Sequence, residues 1–425
     1  MKNYIISVST SLALLLSSCM TGQKESTDSV SMKDLAYEAF IYAYPLMEQV
    51  KTMNDMFEYH NMTPNTVAMV PNFPMENVGM PIVAPNLTSV TGGIYIDISA
   101  GPVTLEIPEV KNRYLVYQCV DVFTHNFYYM GARGNNGEAG SFTFYNKGQQ
   151  VPDDNTTPVL MEGDFGFIVV RIDIKDRSEL DRVIEIQKGI KITSAPSEHR
   201  EYPAYDKAKA FSPRFVEYIN ELLTEVPEEE IALFNRWAPL GIMSNEKPDE
   251  MELKEIQSGI DSAYTAIQEE SKNLEIGNGY IAATEVFGTR EFLNGNYMAR
   301  ASGAHFGLWG NSKEEANYFL LYTEGEGEIR FSKDELPPLS DIGFWSITVH
   351  DENVMVNKNE YESYVLTMDK MKFEGDGSLV LKVSSKPEQG NWLYTPGGKM
   401  AIIIRVYQAN SEKIGSYIPP AFSER

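Results

Sequence analysis

The residues best suited to chemistry are charged side chains that interrupt predicted buried strands. In the run RYLVYQCVDVF, which begins at Arg113, strict alternation places Asp121 on the same face as apolar residues such as Leu115. In the run FGFIVVRIDI, alternation places Arg171 beside phenylalanine and valine. A lone buried charge costs several kcal/mol, which is comparable to the stability of a whole domain. Each charge therefore needs a partner, and we predict that Asp121 faces Arg133 or Arg171.

Two interpretations of this predicted pair are open. It could be a buried ion pair without a ligand, or it could line a pocket in which a carboxylate and an arginine act on a small polar substrate by general acid-base chemistry. Arg405 poses the same problem in the run MAIIIRVYQ. That strand is apolar on both faces, so its cation needs a carboxylate or a ligand.

The stretch DIGFWSITVHD, residues 341–351, holds aromatic, hydroxyl and imidazole side chains together, as a catalytic or sugar-binding cleft would. Alternation assigns four of its residues to a predicted core stripe: Gly343, Trp345, Ile347 and Val349. The other face carries Phe344, Ser346, Thr348 and His350, of which Ser346, Thr348 and His350 could contact a ligand. Trp392, in GNWLYTPGG, would stack on a sugar if exposed and fill the core if buried, and we expect the core.

Several enzyme signatures are missing from the sequence. The chain has no GxSxG, no P-loop, no GxGxxG and no HExxH. The five histidines are scattered singly, so we expect no local zinc cluster and no metal. Cys119 lies within a predicted strand, where a buried inert thiol is the usual case, and we expect no disulfide. The sequence assigns neither a cofactor nor a catalytic residue.

The first 18 residues, MKNYIISVSTSLALLLSS, carry one basic residue, an apolar run and then small residues before Cys19. They predict a secretory signal, residues 1–18, that is too short to stay as a membrane-spanning helix. Leu16 to Cys19 resemble the bacterial lipobox, which implies that Cys19 is the lipidated first residue of the mature protein. Residues 19–31 predict a flexible tether. We therefore expect an exported protein, lipid-anchored in the bacterial cell envelope, and Met20 favours the outer membrane.

The formal net charge of the chain is -24 at pH 7, and 43% of its residues are hydrophobic, as in ordinary globular proteins. An acidic surface repels phosphate backbones, so we expect no nucleic-acid partner. The lipid anchor is the expected membrane partner, and a small molecule or glycan is compatible with the charge. The oligomeric state is open, and a homo-oligomer is compatible with the sequence.

The length of 425 residues predicts two or three domains. Helical periodicity, a proline-rich stretch and short β runs indicate a multidomain α+β fold with β-sandwiches. The first predicted domain, residues 32–175, joins an N-terminal helix, a proline-rich loop and a β-sandwich. Residues 176–278 form a helical region, residues 279–410 form a C-terminal jelly roll, and residues 411–425 form a tail.

Four of these runs resemble a bacterial family that combines two domains. RYLVYQCVDVFTHNFYYMGARGNNG resembles the domain of unknown function 1254, whereas FWSITVHD, NWLYTPGGKMAIIIRVY and RASGAHFGLWGN resemble the domain of unknown function 1214. The resemblance covers nearly the whole chain after the signal and implies an immunoglobulin-like β-sandwich, a helical insert and a C-terminal jelly-roll β-sandwich. Its recurrent polar positions fall at Arg113, Tyr114, Gln118, Asp121, Thr124, Gly131, Arg133, Arg300, Trp345, Asn391, Trp392 and Arg405.

One motif departs from the family pattern. The family has Asn-x-Asp-Thr-Leu-Tyr before its second strand, whereas this chain reads NLTSVT from Asn86. Thr88 therefore stands where the family has an acidic residue. Any chemistry that rests on that carboxylate is lost or altered here.

Two classes of function remain open, because the resemblance supplies no activity. The first is a lipoprotein that binds a small polar or saccharide-like ligand between its β domains, which the missing catalytic signatures favour. The second is an envelope enzyme that uses carboxylate and arginine acid-base chemistry, and a purely structural role is a third interpretation. The candidate ligand-binding residues are Asp121, Thr124, Arg133, Arg171, His350, Arg405 and Trp392.

Overall fold

The computed structural model describes residues 30–60, 62–78, 84–150, 155–194 and 201–425. The predicted signal, Cys19 and most of the predicted tether lie outside the described residues, as does His199. The described chain has an N-terminal β domain, a helical region and a C-terminal β domain, which confirms the predicted multidomain α+β fold class.

The N-terminal β domain follows helix α1 (Met32–His60) and contains two sheets and one further helix. Most neighbouring strands in these sheets are antiparallel. Its elements are β1 (Ala68–Met69), β2 (Ser89–Asp97), β3 (Val103–Ile107), β4 (Leu115–Asp121), β5 (Asn126–Gly131), β6 (Gly140–Tyr145), β7 (Thr157–Leu160), β8 (Phe165–Asp173), α2 (Leu180–Gly189) and β9 (Lys191–Ser194). The five-stranded sheet has the order β1-β2-β8-β4-β5, and the four-stranded sheet has the order β7-β6-β3-β9.

Strand β4 is buried on both faces because two different layers cover it. Leu115, Tyr117 and Cys119 point into the core between the two sheets, on the face that alternation predicts. Val120 on the opposite face packs with the helices, and Gln118 on that face is fully buried. The five-stranded sheet is therefore the middle layer of this half of the molecule.

The helical region contains α3 (Lys207–Ala210), α4 (Val216–Leu222), α5 (Ile231–Trp237) and α6 (Glu250–Lys272). Asp249 and Glu252 form a capping box that starts α6, the longest helix after α1. Helix α1 packs against α6, so it shares a core with the helical region. Pro45 lies inside α1 without ending it.

The C-terminal β domain carries two short helices before its long strands. Its elements are β10 (Glu275–Gly277), β11 (Tyr280–Ala282), α7 (Arg290–Leu293), α8 (Tyr297–Phe306), β12 (Ala316–Glu324), β13 (Gly327–Phe331), β14 (Leu339–Asp351), β15 (Val365–Thr367), β16 (Leu379–Ser384), β17 (Asn391–Tyr394), β18 (Lys399–Ala409) and β19 (Phe422–Glu424). The sheets have the orders β10-β11-β12-β18-β14-β15 and β17-β16-β13-β19.

Strand β14 has the two faces that its alternation predicts. Trp345, Ile347 and Val349 are buried in the core between the two C-terminal sheets, where Trp345 packs its ring on Phe331. Phe344, on the other face, stacks on Tyr407 of β18 at 4.5 Å between ring centroids and meets Tyr114 of the N-terminal domain at 5.3 Å. This outer face is therefore an interface between the two β domains.

Candidate functional site

Asp121 does not face Arg133 or Arg171, so the predicted pairing is wrong. Its carboxylate accepts a hydrogen bond from the backbone N–H of His125 at 2.8 Å, and its second oxygen lies 3.3 Å from His125 Nδ1. Strand β4 ends at Asp121, and a turn in which Thr124 has φ 71° returns the chain to it. The alternation of side chains between the two faces of a strand does not apply beyond the strand end. There the turn brings His125 close enough to bind the Asp121 carboxylate.

Arg171 lies on the outer face of the five-stranded sheet and is held by neutral acceptors. Its Nη1 donates to Gln118 Oε1 at 2.6 Å, and its Nη2 donates to the Trp309 carbonyl oxygen at 3.1 Å. Gln118 in turn donates to Asn126 Oδ1 at 2.7 Å and to the Gly310 carbonyl oxygen at 2.8 Å. Arg171 therefore belongs to a network that ties the sheet to the start of the C-terminal domain.

Arg133 forms an ion pair between the two β domains. Its Nε donates to Glu315 Oε2 at 2.7 Å, and its guanidinium lies 5.3 Å from the Tyr129 ring centroid. The Glu315 side chain is only 1% exposed, so this carboxylate is buried, whereas Arg133 is 37% exposed. Sequence analysis missed Glu315, which precedes β12 in a hydrophilic run that carries no strand pattern.

Arg405 and His350 meet on the outer face of the β14–β18 pair. Arg405 donates to Thr348 Oγ1 at 2.7 Å and to the Ala84 carbonyl oxygen at 3.0 Å. Thr348 Oγ1 also lies 2.7 Å from His350 Nε2. Burial and the nearby Arg405 charge lower the pKa of His350 to about 3, so the imidazole is neutral. The proline-rich segment at Ala84 therefore covers the face on which these candidates lie.

Trp392 lies in the second sheet of the C-terminal domain, on β17. Its Nε1 donates to Ser384 Oγ at 2.9 Å, and its ring meets that of Tyr361 edge-on at 5.4 Å. The side chain is half-buried. It is thus neither a fully buried core residue nor a neighbour of the other candidates.

A second buried network, which sequence analysis missed, surrounds Glu230. Its carboxylate accepts hydrogen bonds from Tyr42 at 2.6 Å, Arg290 at 2.8 Å and Tyr297 at 3.0 Å. Arg290 also lies 4.9 Å from the Phe123 ring centroid, close to the turn that follows Asp121. Four chain segments meet here, so no local sequence pattern could have indicated the cluster.

A cleft of about 580 Å³ opens between the two β domains. This volume is in the range of small-molecule sites, about 300–1,000 Å³. The N-terminal wall carries the charged residues Lys111, Arg113, Asp173 and Lys175. The C-terminal wall adds Ile342, Phe344, Thr367, Met368 and Asp369. Four charged side chains thus line the N-terminal wall, and the C-terminal wall offers apolar side chains beside Thr367 and Asp369.

Asp173 is the chemically distinctive residue of the cleft. Its backbone is fixed, because its N–H donates to the Tyr114 carbonyl oxygen and its own carbonyl oxygen accepts a hydrogen bond from Arg113. No hydrogen bond from the described part of the chain reaches its carboxylate. Burial raises the pKa of Asp173 to about 6, although the Arg113 and Lys175 charges oppose the shift. The carboxylate can therefore accept hydrogen bonds or exchange a proton near neutral pH.

None of the seven candidates from sequence analysis lines the cleft. Arg113 and Tyr114, recurrent positions of the resemblance, do line it, and so does Thr88. Asp173 is the last residue of β8, in which sequence analysis selected Arg171 as the candidate. The signal that could have identified it is a carboxylate at a strand end beside Lys175.

No group of three or more histidine, cysteine or acidic residues in the described ranges could hold a metal ion. Cys119 is a free, buried cysteine, and burial raises the pKa of its thiol, as expected for an inert side chain. None of the helices that the structure describes is long and apolar enough to cross a membrane.

Two families match the chain. Protein of unknown function (DUF1254) matches residues 64–194, and Protein of unknown function (DUF1214) matches residues 315–411, together more than half of the chain. No curated protein matches it.

Solved structures of bacterial proteins are similar to the chain. The VPA0106 protein from Vibrio parahaemolyticus is 20% identical with a TM-score of 0.74, over 93% of this chain and 100% of that chain. At that identity the likeness shows the fold alone. An uncharacterized protein from Burkholderia cenocepacia is 13% identical over 88% of this chain and 85% of that chain, but its TM-score of 0.39 carries no argument. On the two family matches, the chain belongs to the family that joins an N-terminal DUF1254 domain to a C-terminal DUF1214 domain.

Proposed function

We propose that the protein binds a small polar, saccharide-like ligand in the cleft between its β domains. The observation that carries this proposal is the Asp173 carboxylate, which is partly buried in the cleft and accepts no hydrogen bond from the described residues. A desolvated acceptor is costly unless a donor reaches it. A hydroxyl group of a bound ligand supplies that donor.

The rest of the cleft fits the same class of ligand. Arg113 and Lys175 can donate to ligand oxygens. Ile342 is 60% exposed and Phe344 is half-buried, so they offer apolar surface to the C–H face of a sugar ring. Donors and an acceptor on one wall, opposite apolar side chains on the other, are typical of carbohydrate recognition.

The proposal is tested by titrating the protein with a panel of mono- and disaccharides and neutral polar metabolites, using thermal shift and calorimetry. We expect one class to bind saturably and Asp173→Asn to weaken its binding by about tenfold or more. Asp334→Asn, at an exposed carboxylate outside the cleft, is the matched control and should bind normally. Equal binding by wild type and Asp173→Asn, or no ligand in the panel, would contradict the proposal.

The pH dependence of binding provides a further check. Protonation of Asp173 removes its negative charge and turns one of its two acceptor oxygens into a donor, so the affinity should fall as the pH drops through about 6, the pKa to which burial raises this carboxyl. The Asp173→Asn variant should lose this dependence. An affinity that is flat between pH 7.5 and pH 5 would exclude a role for the carboxylate in binding.

A second candidate function is acid-base catalysis in the same cleft. A carboxyl group with a pKa of about 6 beside an arginine is suited to general acid-base work on a small polar substrate. The residues are then Asp173 and Arg113, not the pair predicted from the sequence. Recovery of the bound compound unchanged after incubation favours binding, whereas a product that forms with wild type and not with Asp173→Asn favours the enzyme.

We also propose that the protein is exported and lipid-anchored through Cys19 in the cell envelope. The basic residue, short apolar run and small residues before Cys19 support this localisation. Metabolic labelling with an alkyne fatty acid should label the wild type in the membrane fraction. Cys19→Ala should abolish labelling, whereas Cys119→Ala, at the buried cysteine, should retain it.

A further inference from the structure

Arg300 of α8 is a buried cation that no carboxylate neutralises within the described chain. The residue is 2% exposed, and its Nη2 donates to the Tyr42 carbonyl oxygen at 2.7 Å. Its Nε and Nη1 are buried, and neither finds a hydrogen-bond partner among the described residues. Two unsatisfied donors on a buried charge are strongly destabilising, so these groups need an acceptor.

Two aromatic rings stabilise the charge but leave its donors unsatisfied. The guanidinium carbon lies 4.4 Å from the Tyr42 ring centroid and 5.4 Å from that of Tyr297. Cation–π attraction acts on the face of the ring. It cannot replace the acceptor that each N–H group requires.

Arg300 lines a small cavity of about 10 Å³, together with Thr124, Leu308, Trp309 and Gly310. A cavity of this size holds about one water molecule or one ion of halide size. Thr124 adds a hydroxyl donor and holds φ 71°, a left-handed conformation that is rare for a β-branched residue. Such strain persists only where the surrounding structure determines it, and it concentrates at functional sites.

The carboxylates near this cavity already have partners. Glu230 accepts three hydrogen bonds, including one from Arg290, whose guanidinium also pairs with Glu162 at 2.6 Å. The Asp121 carboxylate accepts from His125. The charge of Arg300 is therefore the one in this network that lacks a direct counter-charge within the described residues.

We propose that this cavity binds a single small monovalent anion of halide size, held between the Arg300 guanidinium and the Thr124 hydroxyl. A water molecule could accept the hydrogen bonds but would add no counter-charge beside the guanidinium. A halide ion meets both requirements, because it accepts from several donors and carries the opposite charge. The cavity shares no lining residue with the cleft, so this proposal stands or falls independently of the proposed function.

The solution test measures the melting temperature of the full-length protein while sodium chloride or bromide replaces sodium gluconate at constant ionic strength. We expect a saturable rise for wild type and for Arg236→Gln, an arginine on the surface that pairs with Glu38. Arg300→Gln should abolish the rise. Should that variant fail to fold, Thr124→Val keeps the shape of the side chain and should weaken the halide affinity about five- to tenfold.

Diffraction from crystals soaked in sodium bromide locates the ion. An anomalous bromine peak within hydrogen-bonding distance of Arg300 is the expected result. A density without anomalous signal at that position, which identifies water, would overturn the proposal. So would a melting temperature that is independent of halide, or a halide response that Thr124→Val and Arg300→Gln share fully with the wild type.

Discussion

At the scale of single residues, neutral oxygens hold the buried basic side chains of the C-terminal sheet. Arg405 donates to a threonine hydroxyl and to backbone carbonyl oxygens of the proline-rich segment. His350 is fully buried beside it, and its Nε2 lies 2.7 Å from the Thr348 hydroxyl oxygen. This arrangement tolerates a neutral imidazole and opposes a protonated one, since a second positive charge would lie next to Arg405.

His350 should make the protein sensitive to acid. Its pKa is about 3 in the folded state, against the ordinary value of 6.5, so below pH 6.5 the unfolded chain binds a proton that the folded chain does not. Stability is therefore lost as the pH falls, by about 2 kcal/mol at pH 5 from this residue. Urea unfolding at pH 7 and pH 5 should show that His350→Gln loses about 2 kcal/mol less than wild type over this interval. An identical loss in both proteins would contradict the assignment.

At the scale of elements, helices α1 and α6 pack closely against each other. Gly259, in the middle of α6, lies against the first turn of α1. A Cβ atom at this position would meet the Lys33 carbonyl oxygen at 2.3 Å and Ala36 Cβ at 2.9 Å. The two helices can approach this closely only because position 259 lacks a side chain.

Gly259→Ala should destabilise the protein. This is expected although alanine favours a helix over glycine by about 1 kcal/mol. The clash with a backbone oxygen forces the helices apart, and overpacking of this kind costs about 1–3 kcal/mol. The expected result is a lower melting temperature. Ser258→Ala, at the exposed neighbouring position, is the control and should change stability by less than about 0.5 kcal/mol. A Gly259→Ala variant as stable as wild type would show that α1 can shift without cost.

The sequence predicts individual helices and strands better than it predicts which elements pack against them. Alternation alone separates Trp345 from Phe344 on β14, and helical periodicity predicts α1. Neither pattern states what covers a face. The sequence therefore predicts Arg171 as a possible partner of Asp121, whereas Arg171 donates to Gln118. Asp121 binds His125 instead, because β4 ends at Asp121 and the chain turns back there.

At the scale of the whole molecule, directional polar contacts and stacked rings join the two β domains. The Arg133–Glu315 pair and the stacked Phe344 and Tyr407 rings with Tyr114 cross the same boundary. The cleft opens along this boundary, and segments far apart in the chain form its walls. Its composition depends on how the domains dock, which no local sequence pattern encodes.

The Arg133–Glu315 pair should couple the two domains measurably. Glu315→Ala removes a buried acceptor, and the partly exposed Arg133 can regain water, so we expect a loss of about 1–3 kcal/mol. In a double-mutant cycle with Arg133→Ala, the two substitutions should be non-additive by about 1 kcal/mol or more. Denaturant unfolding of the four proteins measures this coupling. Additive losses would mean that the pair contributes no interaction of its own.

The contact of Arg405 with the proline-rich segment has an evolutionary consequence. The acceptors are the carbonyl oxygens of Ala84 and Pro85, at 3.0 and 3.4 Å, and every amino acid presents the same oxygen. Substitutions at these positions can therefore leave the acceptors in place. A segment held in this way can change its side chains as long as its backbone keeps the same path, which includes the left-handed conformation of Ala84 at φ 48°.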